Sequence, residues 1–225
     1  MTRMRRTATA GAAVLGAVLG AIWLLPRLPF FRVRQVEIEG VRYLAPEQVV
    51  RALGLADRQS LFASLGPLER RVERMAGVVE ARVSRRPPGT LRVRIAEQVP
   101  VAFAPGPDGL VALDGEGRPL PYDPAASGID LPVIPGSDGA VLTVLARAQT
   151  ADSALYRDIE TARPGPRQTV ILELGERRVM VRTEATGEDF EAVGAVRRHL
   201  AAAGRPYAEL DARFAGWVVV RRNRS

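Results

Sequence analysis

Residues Ala8 to Leu25 read ATAGAAVLGAVLGAIWLL, eighteen in a row without a charge, and no other stretch limits the fate of this chain as strongly. A helix of that length rises about 27 Å, close to the roughly 30 Å hydrocarbon layer of a bilayer. Trp23 lies where an indole suits the interface, and Pro26 and Arg27 close the segment. Arg3, Arg5 and Arg6 precede it, and no acid occurs before Glu37. A short arginine-rich tail stays in the cytoplasm, whereas a large C-terminal domain is exported largely regardless of charge. The expected topology is therefore single-pass and type II: residues 1–7 a cytoplasmic tail, 8–25 a signal anchor, and the remainder extracytoplasmic. A cleaved signal peptide and a buried soluble helix are the competing readings. The first needs a shorter apolar run and a small-residue cut site, yet WLLPRLPFF follows Ile22. Gly16 and Gly20 form a G-x-x-x-G spacing that allows close helix packing in the membrane, although small residues simply filling the span explain it too.

The exported part is narrowed by what it lacks. There is no Cys, one His, and all 32 basic residues are Arg. Without Lys there is no phosphate-loop lysine and no Schiff base; without Cys there is no thiol nucleophile, disulfide or Cys-containing zinc site. The lone imidazole, His199, sits beside a helix stripe next to Arg197 and Arg198, the place of a boundary residue rather than a base. Gly115-Glu116-Gly117 lacks a third glycine, and Pro119 stands where a helix should open. Glu37/Glu39 and Glu188/Asp189 have no apolar setting to perturb them. No catalytic constellation, cofactor, metal site or small-molecule substrate is expected. The net charge of +7 divides into three tail arginines and +4 over the rest, without the aromatic interleaving of a nucleic-acid binder.

Two units follow the anchor. In the first, Val36 and Ile38 alternate with Glu37 and Glu39 up to Gly40; helices are expected over 47–53 and 67–75. Val79, Ala81 and Val83 then alternate with polar residues, and Leu91, Val93 and Ile95 do the same after the turn Pro87-Pro88-Gly89-Thr90. The order is β-α-α-β-β, with two helices covering one side of a sheet. Arg82, Arg92 and Arg94 share the other face, with Arg85 and Arg86 at the turn, so a strongly basic face is expected there. Arg82, Arg86, Arg92 and Arg94 are its candidate contacts to lipid headgroups or an acidic partner, with a solvated strand face as the plain alternative. The second unit reads as short strands at 101–104, 110–113, 131–134, 169–174 and 178–183. Helical stretches fall at 141–147, 153–161 and 190–200, and a last apolar strand at Trp217–Val220. If that strand ends the sheet, its outer edge offers unpaired N–H and C=O groups to another strand; an internal strand is the alternative. Proline at Val219 is then expected to abolish partner binding without unfolding the domain.

The order of motifs resembles the FtsQ/DivIB family of bitopic cell-division proteins from end to end. The carriers are the basic tail and span, then VVEARVSRRPPGTLRVRIAEQVPVA with Pro88-x-x-Leu91 and Glu97-x-x-Pro100-Val101-Ala102. LVALDGEGRPLP, Leu131-Pro132 and the closing AELDARFAGWVVVR with Asp211 and Arg213 complete the series. The resemblance implies an α+β protein: a transmembrane helix, a POTRA-like β-α-α-β-β domain over 26–99, a mainly antiparallel β domain with helices over 100–221, and a tail at 222–225. It implies a non-catalytic scaffold at the septum, in the cytoplasmic membrane, linking divisome proteins to septal peptidoglycan synthesis. FtsB/FtsL-like partners are implied to bind by strand addition at positions matching Phe214, Trp217, Val218, Val219, Val220 and Arg221. Upstream recruitment is implied at the hairpin positions Val83 and Arg85. A POTRA-bearing envelope transport accessory and an anionic-lipid module are the other classes these features fit.

Overall fold

The computed structural model describes residues 29–122, 128, 130–214 and 216–222. The expected span and its Gly16/Gly20 pair lie outside them, and among the described residues no helix is long and apolar enough to cross a membrane. The chain divides into two compact units that meet between Glu97 and Gln98.

In the first unit a 3-10 turn, Pro29–Phe31, leads into β1 (Gln35–Glu39). Pro46 opens α1 (Pro46–Leu53), which stops at Gly54 in a left-handed cap; α2 spans Gly66–Glu73, two residues short of the expected end at Met75. The hairpin is β2 (Val78–Arg86) and β3 (Thr90–Glu97). β3 lies between the other two strands, parallel to β1 and antiparallel to β2. Val49, Leu53, Leu68 and Val72 from the helices meet Ala81, Val83, Leu91, Val93 and Ile95 from the sheet in one core. Gly40 follows β1 at a φ of 86°, and a Cβ there would sit 2.2 Å from the Ile95 carbonyl oxygen, so no other residue fits. The Glu97 carboxylate accepts the backbone N–H groups of Arg42, Tyr43 and Leu44, tying that loop to the end of β3.

Val79 departs from the expected pattern. A bulge between Val78 and Glu80 shifts the register, and Val79 stands exposed instead of joining the apolar face. The basic face is corrected as well. Because β1 pairs with β3, Glu37 and Glu39 land beside the arginines: Arg86 and Arg92 reach Glu37, Arg92 and Arg94 reach Glu39, and Arg82 pairs with Glu80. The Arg94 guanidinium, hydrogen-bonded to Glu39, holds that carboxylate below its ordinary range.

The second unit begins with β4 (Ala102–Gly106), β5 (Gly109–Leu113) and the two-residue β6 (Pro119–Leu120). Helices α3 (Gly139–Ala151) and α4 (Ser153–Arg157) follow, broken at Asp152, whose carboxylate caps the second one. The expected helix to Thr161 ends early: 161–165 is a strand, β7 (Thr161–Gly165). Pro164 and Gly165 hid it, and both are tolerated because pairing with β8 (Thr169–Leu174) leaves its other side nearly free. Leu131–Ile134 is not a full strand; Val133 alone bridges Phe103 and Thr161. β9 (Arg177–Arg182) and the helix α5 (Gly187–Ala202), opened by a Thr186/Asp189 capping box, precede β10 (Glu209–Phe214) and β11 (Trp217–Arg221). The strand order is β11-β10-β9-β8-β7, with β10 parallel to β9 and the other pairs antiparallel. Helix α3 packs on β7 and β8, and α5 on β10 and β11.

Candidate functional site

The C-terminal strand ends its sheet. β11 pairs with β10 on one side through Glu209↔Arg221, Leu210↔Val220 and Asp211↔Val219, and nothing pairs with its other side among the described residues. Backbone direction follows from two bonds: the Arg178 N–H donates to the Ala208 carbonyl and the Ala208 N–H to the Arg221 carbonyl, 3.0 and 2.9 Å. Arg221 and Val219 therefore turn their amides towards β10, and by alternation Val218 and Val220 turn theirs outward. Proline at Val219 would break the ladder to β10, contrary to the expectation above; the amides left facing outward are those at 218 and 220.

The side chains divide by face. Leu210 and Ala212 are buried with Val179 and Val181 of β9, and Val220 shares their side. The opposite face carries an ionic ladder. Asp211 is fully buried, accepting from Arg213 Nε at 2.7 Å and Nη2 at 2.6 Å, and from Arg221 Nη2 at 3.3 Å. Arg221 also reaches Glu209, which Arg178 of β9 approaches from the other side. The Arg213 hydrogen bond outweighs burial and holds the Asp211 carboxyl below the usual aspartate range; the same bond raises Arg213. Three strands are thus clamped by alternating charges one residue from the valine edge.

At the β10–β11 turn, Gly216 adopts a φ of 74°, and Phe214 and Trp217 face each other as the last cross-strand pair. Trp217 is 75% exposed and Phe214 55%, with Val219 and Val220 exposed beside them. These large apolar side chains stay in solvent beside an unpaired strand edge instead of joining a core. No charge blunts the edge before Arg221.

The hairpin positions are built differently. Val83 points into the first unit's core, and its N–H is taken at 2.9 Å by the Glu69 carboxylate. Arg85 donates to the carbonyls of Leu61 and Ala63 at 2.7 and 2.8 Å, bracing a loop. Arg82, Arg86, Arg92 and Arg94 are engaged by Glu80, Glu37 and Glu39 as described. His199 is exposed on α5, and among the described residues no cluster of His, Asp or Glu could hold a metal ion. The motif residue Asp114 works locally: buried, it accepts the N–H groups of Glu116 and Arg118 and the side chains of Gln98 and Arg118. Sequence reasoning missed Glu69 and Glu209, because each becomes meaningful only through a strand distant in sequence.

Residues 31–98 match the model of the POTRA domain, FtsQ-type. Curated cell division proteins FtsQ align over nearly the whole chain. The protein of Rhodothermus marinus is 32% identical over 97% of this chain and 87% of its own length. That of Allochromatium vinosum is 30% identical over 98% and 90%. The chain belongs to the FtsQ family. The Myxococcus fulvus relative, 28% identical over 94% of this chain and 80% of its own, extends the same alignment. The FtsQ-type match covers the β-α-α-β-β unit.

Proposed function

We propose that this chain is a non-catalytic scaffold of cell division, anchored in the cytoplasmic membrane by residues 8–25, with 29–222 on the extracytoplasmic side. Its relatives carry the name of a cell division protein, which supports the divisome role. The partner surface is the β11 edge. A division partner of the FtsB/FtsL kind lays a strand against Val218–Val220, and Phe214 and Trp217 hold an apolar side chain of that strand.

The exposed, unpaired β11 edge with its aromatic corner carries this reading. Each added backbone hydrogen bond is worth about 0.5–1.5 kcal/mol net, so a three- or four-bond ladder gives modest affinity. A buried aromatic anchor adds about 2 kcal/mol. Confinement to the membrane surface raises the effective concentration of two anchored partners. The exported region of a bitopic partner, bound to the soluble domain with and without Val220→Pro, tests the site. Loss of binding with unchanged circular dichroism supports it, and full binding by the proline variant overturns it.

A further inference from the structure

One end of the first unit carries a cluster that the division role does not use. The 3-10 turn, the loop at 58–63 and the β2–β3 turn meet there. Leu61 N–H donates to the Phe31 carbonyl at 2.8 Å, Val33 N–H to Gln59 at 2.8 Å, and Arg34 N–H to Gly89 at 2.8 Å. A Cβ on Gly89 would lie 2.8 Å from the Arg32 carbonyl oxygen, so the turn is pressed against this segment. Phe30, Phe31 and Phe62 form an edge-to-face row with centroids 5.2 Å apart at each step. Its two ends project into solvent, Phe30 being 57% and Phe62 44% exposed. Arg34 lies over the Phe30 ring. Arg32, Arg34, Arg58 and Arg85 have no ion pair among the described residues, while Arg86 is held by Glu37 and Asp57 is the acid in the adjoining loop.

We infer that this end of the POTRA-type unit is a membrane-docking surface. The aromatic row enters the interfacial layer, and the arginines contact anionic lipid headgroups. Chain length carries the argument, and the inference rests on the proposed anchor at 8–25. Phe30 is five residues beyond Leu25, which allows at most about 18 Å even if fully extended, and the 3-10 turn shortens that reach. The polar layer outside the hydrocarbon is itself about 5–7 Å deep on each side. A folded unit tethered so closely keeps this end within reach of the headgroups. The residues it presents, phenylalanines flanked by arginines that have no ion pair among the described residues, are those suited to an anionic interface. The distal end is defined by the same strands: Val79, at the far end of β2 from Arg86, lies about 23 Å away along the strand.

The Cys-free sequence makes single-cysteine labelling clean. The full chain, reconstituted in nanodiscs with and without phosphatidylglycerol, would carry a fluorophore at V18C, S64C or V79C. Quenchers attached to acyl chains, attached to headgroups, or dissolved in water then report depth. The docking account predicts acyl-chain quenching at 18, headgroup quenching at 64 and aqueous quenching at 79. Phe30→Ser with Phe62→Ser removes the signal at 64 and leaves 18 unchanged. Arg32→Glu with Arg58→Glu, which leaves Arg34 over the Phe30 ring and spares the aromatic row, weakens it only in discs containing phosphatidylglycerol. Lipid quenching at 18 together with aqueous quenching at 64 overturns the docking surface and leaves the anchor standing. Aqueous quenching at 18 overturns both.

Discussion

Strands β2 and β11 each end a sheet, and they treat that position in opposite ways. β2 is blunted: a bulge throws Val79 outward, Glu80 and Arg82 pair along the strand, and the Glu69 carboxylate occupies the Val83 N–H. β11 is left open, with valines at 218–220, an exposed Trp217, and outward amides that meet no acceptor among the described residues. Proteins usually protect edges in the first manner because an open edge invites pairing. Under the proposed function the second edge is kept open for a partner's strand, whereas the first is closed to pairing. The ionic ladder fits this division of labour, because Arg221 anchors β11 through Glu209 and Asp211 on the inner side and leaves the outer side untouched.

The largest expected effects probe that inner side. Val219→Pro removes a ladder bond to Asp211 and should cost about 2 kcal/mol of stability in urea unfolding, whereas Val220→Pro should leave the urea midpoint nearly unchanged. Equal losses from the two would erase the distinction between inward and outward amides. Asp211→Ala removes the shared acceptor of Arg213 and Arg221, which both still reach water, and should destabilise the second unit by about 2 kcal/mol. Its pH dependence has a definite sign. A carboxyl whose value is depressed by folding stabilises the protein above the unfolded aspartate value of about 4, and that contribution fades as pH falls through the lower folded value. The wild-type chain should therefore lose stability below about pH 4 more steeply than Asp211→Asn. Parallel acid titrations of the two would count against the clamp.

Equal or smaller effects sharpen the contrast between the edges. Trp217→Ala should weaken partner binding by about 2 kcal/mol, roughly thirtyfold, without moving the unfolding midpoint, because the indole is mostly in solvent. A shifted midpoint with intact binding would make Trp217 a structural residue. Glu69→Ala uncaps β2 and should cost the first unit about 1 kcal/mol while leaving partner binding alone. Sedimentation should then show more self-association, since the freed edge can pair with a copy of itself. Arg82→Ala, which removes an exposed pair with Glu80, should change neither stability nor binding measurably.

Much of the first unit was legible because its signals are local. Leu91, Val93 and Ile95 alternate cleanly, and Leu68 and Val72 mark a helix stripe, so the β-α-α-β-β order and the covered face follow from periodicity. The pairing of the arginine face with carboxylates was not legible. It depends on β1 crossing to lie beside β3, which sets Glu37 and Glu39 against residues more than fifty positions away. β7 was lost because five residues ending in Pro164-Gly165 carry too little alternation to outweigh a helical reading of 153–161. At the candidate site, the apolar run Trp217–Val220 announced a strand and its aromatic corner. Which amides face outward was hidden, because that parity is set by pairing with β10, whose own direction is fixed by β9.

Amide hydrogen exchange at β11, followed residue by residue as the exported region of a bitopic division partner is added, tests the central claim most directly. Val219 and Arg221 should already be protected in the free protein, and Val218 and Val220 should become protected as the partner saturates. Saturated binding with Val218 and Val220 still exchanging as in the free domain would contradict strand addition at this edge.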